Sequence, residues 1–290
     1  MKQLLILSGK GGTGKTTVAS AFIHLAEAKT YADCDVDAPN LHLITGEKKA
    51  PLKEDFFALP LASIDPDLCI ACGICYEHCR FHSILPKEVY TVDPFACEGC
   101  GVCAFVCPVE AVTMVPDAAG QLMLYKEEDR VFSTAQLKMG KGTSGLLVAE
   151  VKKRMREGAV EKEFAIIDGS PGIGCPVIAS LSGVDMVLIV AEPSISGMSD
   201  MERVIDTAMK FGVKIAVCVN KYDVNQETTE KIEDFCQKQN LHFVGLIPFD
   251  KEAVRSINEG KTIVETDCPS GQAVKAIYEK TMDLLLEKED

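Results

Sequence analysis

The sequence predicts an α/β protein with a doubly wound, mostly parallel sheet, interrupted by a small α+β insertion. Three observations support this prediction. A glycine-rich loop near the start of the chain lies between a short apolar stretch and an amphipathic stretch. Further along, short apolar runs alternate with helical patterns, which is typical of a parallel sheet. Eight regularly spaced cysteines stand between these two parts.

The composition allows a large core and argues against several classes of partner. At 290 residues, 47% of them apolar, the chain can form one large domain plus a smaller module. The formal net charge of -13 disfavours binding to nucleic acid or to an anionic membrane. No apolar run spans a bilayer, and the acidic end 287–290 does not suit a basic membrane anchor. Thirteen cysteines without an export signal predict metal-binding thiols in a cytoplasmic protein.

The glycine-rich loop follows residues 4–7, which predict a buried strand, and precedes an amphipathic stretch over 17–28. This context is that of a phosphate-binding P-loop, whose glycines let backbone N–H groups approach an anion at a helix N-terminus. We expect Lys15 to reach the β- and γ-phosphates and Thr16 to bind Mg²⁺. The complete pattern in this context disfavours the alternative, a glycine-rich turn that matches by chance.

A second lysine, Lys10, stands near the beginning of the loop. With it, residues 10–17 resemble the deviant loop KGGxGKT[TS] of the MinD/ParA/nitrogenase-iron-protein class of P-loop ATPases. The resemblance implies that Lys10 crosses a two-fold axis to the partner's ATP phosphates, and therefore that ATP closes a homodimer. A solvated loop lysine is the alternative for Lys10. The remaining loop residues are expected to bind ATP: Gly11, Gly12, Thr13, Gly14, Lys15, Thr16 and Thr17.

Closely spaced carboxylates follow the next predicted strand, at Asp33, Asp35 and Asp37. Such carboxylates can hold the water shell of Mg²⁺ and orient the attacking water. The family's switch I has the same Asp-x-Asp form, which implies that Asp33 serves the Mg²⁺ shell and Asp35 activates water. Asp37 either caps a turn or has a function, and Cys34 is expected to be a small buried residue.

Two cysteine groups of identical spacing, CxxCxxCxxxC, lie 28 residues apart. This is the spacing of bacterial ferredoxins with two [4Fe-4S] clusters, in which the fourth cysteine of each group binds the other cluster. Two zinc sites are the alternative, which the regular triplet spacing disfavours. We expect the first cluster on Cys69, Cys72, Cys75 and Cys107, and the second on Cys79, Cys97, Cys100 and Cys103.

The cysteine-rich region departs from the ferredoxin pattern at Arg80, which replaces a proline, so the exit from the first loop is expected to differ. His78 and His82 flank Cys79 and are expected to be surface groups, since cysteines already fill the ligand sets. The region carries more acidic than basic residues, which suits a basic redox partner. A solvated surface explains the acidic excess equally well.

The parallel-sheet pattern resumes with predicted strands over 164–168, 186–191, 213–219 and 243–247. Predicted helices lie over 199–211, 227–238 and roughly 272–287. Asp168 ends the first of these and is expected to hold Mg²⁺ through water, as a Walker B aspartate does. Residues 169–176 resemble the family's switch II, in which backbone groups sense the γ-phosphate. By the same resemblance, Asn220 contacts the adenine edge, and Pro248 and Asp250 belong to a second base-contacting loop. The string 220–223 also fits guanine, but the deviant lysine favours ATP.

Two further features leave alternatives open. The glycine-rich loop 140–145 is either a mobile functional loop or an ordinary helix start. Cys175 has the offset of a cysteine that binds a cluster shared across the dimer axis of the nitrogenase iron protein. A small buried residue that packs switch II is the favoured alternative, because no cysteine lies between Cys107 and Cys175 to complete such a set.

The whole chain resembles MinD-superfamily ATPases that carry an inserted ferredoxin domain. The resemblance implies an ATPase domain over 1–60 and 116–290 and a ferredoxin-like α+β domain over 61–115. It is compatible with two functions. In the first, ATP-driven dimer closure and hydrolysis time low-potential electron transfer to a redox partner. In the second, the ATPase assembles or delivers metal clusters to an apo-metalloprotein.

Overall fold

The computed structural model describes residues 1–47, 49–159 and 163–287, so the acidic end 288–290 lies outside the described residues. Every helix in the described part is too short or too polar to cross a membrane. The first part of the chain forms β1 (Lys2–Leu7), α1 (Lys15–Leu25), β2 (Thr30–Asp33), α2 (His42–Thr45) and β3 (Leu52–Phe57). The next part forms β4 (Leu61–Ile64), α3 (Ile74–His78), β5 (Ile84–Leu85), β6 (Thr91–Val92), α4 (Val102–Phe105) and β7 (Val112–Val115).

The second half completes the main sheet and its helical layers. Its strands are β8 (Ala118–Lys126), β9 (Val131–Leu137), β10 (Phe164–Asp168), β11 (Met186–Ala191), β12 (Lys214–Asn220) and β13 (His242–Ile247). Its helices are α5 (Ser144–Gly158), α6 (Cys175–Leu181), α7 (Ile195–Met209), α8 (Gln226–Lys238), α9 (Lys251–Asn258) and α10 (Pro269–Leu286).

Nine strands of the described chain form one sheet in the order β13-β12-β11-β1-β10-β2-β9-β8-β3. All pairs from β13 to β9 are parallel, whereas β8 pairs antiparallel with β9 and with β3. The predicted mostly parallel α/β fold is therefore confirmed. Since β1 lies at the centre, between β10 and β11, the loop that follows it opens at the middle of the sheet's carboxyl edge. Ligands of open α/β sheets bind at this edge.

Alternate residues of the central strands face two separate apolar layers. Leu5 and Leu7 pack with α5 to α8 on one face, and Leu4 and Ile6 pack with α1 and α10 on the other. Burial of a side chain of this size stabilises the fold by roughly 1.5–3 kcal/mol. The two layers therefore hold β1 rigidly beneath the loop that it supports.

Two helices begin earlier than the apolar periodicity predicts. Helix α7 begins at Ile195 instead of residue 199, because the Ser194 side chain caps it by accepting a hydrogen bond from the Gly197 N–H at 3.1 Å. Helix α10 begins at Pro269 instead of residue 272, after Cys268, whose sulfur accepts from the Gly271 N–H at 3.4 Å. Capping residues, more than periodicity, set both helix starts.

The cysteine-rich segment has its own small sheets, in which β4 pairs with β7 and β5 pairs with β6. Its two short helices start alike, after Gly73 with φ 80° and Gly101 with φ 77°. Few residues other than glycine adopt this left-handed conformation. The flanking strands β3 and β8 pair with each other in the main sheet. The division into separate domains at 60/61 and 115/116 stays a prediction.

One lysine of α5 is buried on the apolar face of that helix. The Lys152 amino group donates hydrogen bonds to the carbonyl oxygens of Ser180 at 2.5 Å and Ser182 at 2.7 Å. These carbonyls end α6, where a helix has unpaired acceptors and a negative dipole end. Burial lowers the pKa of Lys152 to about 8. Lys152 therefore links α6 to α5, but its charged amino group loses its hydration on burial.

The buried amine makes stability depend on pH in a defined direction. Between about pH 8 and 10.5 the unfolded chain keeps the Lys152 proton and the folded chain loses it, so this residue's contribution to stability rises with pH. Lys152→Met lacks this contribution. We therefore expect the free energy of unfolding of the wild type, relative to that of Lys152→Met, to increase by up to about 3 kcal/mol as the pH rises over this range.

Denaturation by urea at pH 7.5, 8.5 and 9.5 measures the difference. The Cys34 thiol interacts with Lys152 but stays protonated in the folded protein over this range, because burial raises its pKa to about 12. Lys153→Met, at the neighbouring exposed position, is the matched control and should show a constant difference from wild type. A constant difference for Lys152→Met would instead show that Lys152 keeps its proton.

Candidate functional site

The loop between β1 and α1 adopts the backbone conformation that its glycines allow. Gly12 has φ 80° and Gly14 has φ 93°, both in the left-handed region. A Cβ on Gly14 would overlap the Asn220 Nδ2 atom, which donates to the Thr13 carbonyl oxygen at 2.7 Å. Gly11 and Gly12 face open space. The loop is therefore anchored from β12 on one side and open on the other, as an anion cradle must be.

Lys15 and Thr16, the first residues of α1, both contact the aspartate that ends β10. Lys15 Nζ lies 2.5 Å from Asp168 Oδ1, and the Thr16 hydroxyl donates to Asp168 Oδ2 at 2.6 Å. Burial alone would lower the pKa of Lys15, but the carboxylates of Asp168 and Asp33 outweigh it and raise that pKa. The predicted Walker A and Walker B residues are thus brought together at one point.

Asp33 ends β2 and is fully buried next to Asp168. Its carboxylate accepts hydrogen bonds from the backbone N–H groups of Asp35 at 2.9 Å, Asn40 at 3.0 Å and Leu41 at 3.1 Å. Burial and the Asp168 charge together raise the pKa of Asp33 to about 7. Asp33 therefore shapes the loop over 34–41, which corresponds to switch I, as well as facing the site.

The charges of the site suit a divalent cation. Asp33 and Asp168 are buried against a single lysine, Lys15, and the half-buried Asp35 has its pKa raised by burial as well. Carboxylate and hydroxyl oxygens are the ligands that Mg²⁺ prefers, usually through retained waters. In the described chain no three His, Cys, Asp or Glu side chains are close enough to hold one ion directly. Contact through water is compatible with that spacing.

The loop after β10, residues 169–174, joins the phosphate loop to switch I and corresponds to switch II. The Gly172 N–H donates to the Ser8 carbonyl oxygen at 3.0 Å. The Ser170 hydroxyl donates to the Cys34 carbonyl oxygen at 2.5 Å. Movement of one of these three loops therefore disturbs the hydrogen bonds of the other two.

A pocket of about 190 Å³ adjoins the phosphate loop on the side of β12 and β13. Asn220, Pro248 and Asp250 line it together, as the sequence predicts for a base site. Asp250 also caps α9, since its carboxylate accepts from the Glu252 N–H at 2.9 Å. Asp223 is used elsewhere, because its carboxylate accepts from the Phe249 N–H at 2.7 Å and links the two loops.

The cysteines gather around two separate pockets of the inserted segment. Burial raises the pKa of the Cys75 thiol, and three neighbouring thiols raise it further. Cys72 and Cys100 are exposed, one in each group. The first pocket is lined by Cys69, Cys72, Cys75 and Cys107, and the second by Cys79, Cys97, Cys100 and Cys103. These are the two predicted sets, each with its fourth member taken from the other repeat.

Segment 136–145, which joins β9 to α5, contacts switch I at its beginning. The Leu137 N–H donates to the Val36 carbonyl oxygen at 2.8 Å. The Gln136 side-chain amide donates to the Asp37 carbonyl oxygen at 3.1 Å. Both acceptors lie in the loop that Asp33 organises.

The same segment approaches the second cysteine pocket and switch II. A Cβ on Gly142 would lie 3.9 Å from Glu98 Oε2, and Glu98 lines that pocket. A Cβ on Gly140 would lie 3.1 Å from the ring of Phe95, two residues before Cys97. A Cβ on Gly145 would lie 3.1 Å from Cys175 Cβ, at the end of switch II. The glycine-rich loop 140–145, whose role the sequence left open, therefore lies between the second cysteine group and switch II, with Gly140 and Gly142 exposed.

The favoured prediction of a buried Cys175 is wrong. Cys175 is exposed, because the loop 169–174 carries it to the first position of α6. Cys34 is buried as expected, and Cys218 is buried within β12.

Glu192 is a charged residue of the site that the sequence motifs did not predict. Glu192 directly follows β11, and its carboxylate contacts Lys10 at 3.0 Å and Lys221 at 3.4 Å. An acidic residue at the end of a central parallel strand was the available signal, since such positions converge on the site.

Comparison with known proteins agrees with this geometry. The family described as "CobQ/CobB/MinD/ParA nucleotide binding domain" matches residues 4–263, most of the chain. The chain belongs to this family. It is accordingly a P-loop ATPase of the MinD/ParA superfamily, as the loop 10–17 predicted.

Three relatives illustrate the breadth of the similarity. An uncharacterized protein of Methanocaldococcus jannaschii is 29% identical over 98% of this chain and 97% of its own. An iron-sulfur cluster carrier protein of Pyrococcus abyssi is 23% identical over 98% of this chain and 87% of its own. The structure of the septum site-determining protein MinD from Pyrococcus horikoshii, complexed with Mg-ADP, is 18% identical. It aligns with a TM-score of 0.59 over 98% of this chain and 96% of that one.

Proposed function

We propose that the chain is an ATPase in which nucleotide-dependent closure of a homodimer is coupled to low-potential electron transfer through two [4Fe-4S] clusters. The observation that carries the proposal is segment 136–145, which touches switch I, switch II and the second cysteine pocket. Packed side chains and hydrogen bonds that have two arrangements can carry coupling between two sites, and this segment offers such contacts. ATP binding that reorders either switch then displaces the surroundings of one cluster.

In this proposal the ATPase site works with the residues already brought together. Lys15 and Thr16 hold the phosphates and Mg²⁺, Asp33 and Asp168 hold the water shell of the ion, and Asp35 orients the attacking water. Lys10 acts on the ATP of the partner protomer. The base is adenine, because Asp223, the acidic residue of the string 220–223, does not line the base pocket and accepts the Phe249 N–H instead. Its pocket is lined by Asn220, Pro248 and Asp250.

The two pockets with four cysteines each fit two cubanes. The four thiolates of a cubane bind four different iron atoms, so they lie farther apart than the ligands of a single ion. Bound clusters supply one-electron chemistry at low potential. The chain contributes the thiolates, the apolar walls and the left-handed glycines, Gly73 and Gly101, which bring backbone N–H groups toward the sulfur atoms. A reducing compartment such as the cytoplasm keeps these thiols available.

Delivery of clusters to apo-metalloproteins is the second candidate function. It is favoured by the name of the Pyrococcus relatives, iron-sulfur cluster carrier proteins, and by the exposure of Cys72 and Cys100. Two complete sets of four thiolates favour electron transfer, because a fully ligated cluster is retained more firmly than a transferable one. The acidic excess of the inserted segment suits a basic redox partner and neither nucleic acid nor an anionic membrane.

The crossed ligand sets predict specific losses of iron. Anaerobically reconstituted protein should hold about eight iron atoms per chain. Cys72→Ser and Cys107→Ser should both remove the first cluster, whereas Cys100→Ser and Cys79→Ser should both remove the second. Iron analysis and EPR spectroscopy of the dithionite-reduced proteins distinguish the two signals.

Cys218→Ser, in a buried strand, is the control and should keep the full iron content. If Cys107→Ser removed the same cluster as Cys100→Ser, the crossed assignment would be wrong. Protein that holds only zinc after anaerobic handling would overturn both clusters. ATP-dependent loss of iron to an apo-ferredoxin would favour delivery over electron transfer.

Substitutions in segment 136–145 test the coupling itself. In Gly145→Ala the new methyl group lies 3.1 Å from Cys175 Cβ and 3.2 Å from its carbonyl oxygen, so the end of switch II must shift. We expect the nucleotide-dependent change in the EPR signal of the second cluster to fall by about twofold or more. Iron content should stay unchanged.

Gly142→Ala is the matched control, since its nearest neighbour, Glu98 Oε2, lies at an ordinary contact distance of 3.9 Å. It should respond to nucleotide as the wild type does. Equal responses of both variants and the wild type would show that the segment does not couple the sites.

A further inference from the structure

Glu192 stands between two lysines at the mouth of the phosphate loop. Its Oε2 atom lies 3.0 Å from Lys10 Nζ and its Oε1 atom 3.4 Å from Lys221 Nζ. Lys10 Nζ also donates to the Ser194 hydroxyl at 3.0 Å, and Lys221 Nζ to the Gly12 carbonyl oxygen at 3.3 Å. Lys10 thus has two partners within its own chain.

The backbone brings Lys10 to this position. A Cβ on Gly9 would overlap the backbone of Asp200, so the beginning of the phosphate loop is packed against α7. Glu192 and Ser194 lie just before α7, at the end of the strand next to β1. Partial burial opposes ionisation of Glu192, but the two lysines lower its pKa, so the carboxylate is charged at neutral pH.

We propose that Glu192 is a positioning residue that holds Lys10 within its own protomer and competes with the partner's nucleotide for it. A side chain cannot keep a 3.0 Å contact to Glu192 and also reach across a two-fold axis to a phosphate. Closure of the dimer therefore breaks two such ion pairs, one in each protomer. Glu192 therefore raises the dissociation constant of the ATP-bound dimer, and it binds Lys10 again after the dimer opens.

The inference rests on the proposed function in one respect, the action of Lys10 across the dimer. The size of the expected effect follows from the exposure of the ion pair, since the Lys10 and Glu192 side chains are 30% and 26% exposed. Ion pairs of this kind each shift an equilibrium by about 1.4-fold to fivefold. Removing both should therefore tighten the dimer by about twofold to 30-fold.

Glu192→Gln tests the competition with little change of shape. The dimer dissociation constant is measured by sedimentation velocity with Mg²⁺ and a non-hydrolysable ATP analogue. We expect it to fall about twofold to 30-fold relative to wild type. Asp200→Asn is the matched control, because it removes the same charge beside the same loop, where Asp200 pairs only weakly with Arg203 at 3.9 Å. It should change the constant much less.

Two further variants separate the roles of the lysines. Lys221→Met removes the other arm of Glu192, and it should not reproduce the tightening. In the Lys10→Ala background, which we expect to stay monomeric with the analogue, Glu192→Gln should not restore the dimer, because Lys10 is the group that Glu192 holds.

The outcomes separate the inference from the function on which it rests. A normal analogue-driven dimer of Lys10→Ala would overturn the action of Lys10 in trans. If Lys10→Ala loses the dimer while Glu192→Gln forms it no more tightly than Asp200→Asn, the competition alone is wrong. Weaker association of Glu192→Gln would also overturn it, since Glu192 would then support the closed dimer.

Discussion

Asp33 and Asp168 are buried side by side at the carboxyl edge of the sheet, with Lys15 as their cation. A charge in this environment persists only when it is paired and hydrogen-bonded, and loss of one partner of a buried pair typically costs about 3–5 kcal/mol. The pairing draws the phosphate loop, switch I and switch II to one point. In the proposed function, nucleotide and Mg²⁺ bring new charges to that same point and thereby alter all three loops.

The position of the cysteine-rich segment determines which of its two cysteine pockets such a change in the loops affects. The second cysteine pocket lies beside residues that precede and follow the cysteine-rich segment: its Gly99 packs against Pro60, and its Glu98 lies near Gly142. Helix α5, which begins in segment 136–145, also holds the end of α6 through Lys152. The two clusters are therefore inequivalent in this account, with one near the switches and the other enclosed by residues of the insertion itself.

Much of this arrangement could be predicted from sequence because the motifs are local. Spacing alone places Lys15, Thr16 and both cysteine sets, since each depends on a few residues around a tight loop. Burial of Cys175 was predicted wrongly, because the path of a glycine-rich loop is not set by residue type. The partners of Lys10 depend on β11 lying next to β1, which no periodicity reveals. Lys152 was visible in principle as a lysine on an apolar helix face, but its carbonyl partners follow from tertiary packing.

The most direct measurement of the central claim is a redox titration of the wild-type protein, followed by EPR spectroscopy, in the presence of Mg-ADP and of a non-hydrolysable ATP analogue. The cysteine variants assign each signal to its cluster. The account predicts that the reduction potential of the second cluster changes between the two nucleotides while that of the first stays constant. Identical potentials for both clusters in both nucleotide states would contradict it.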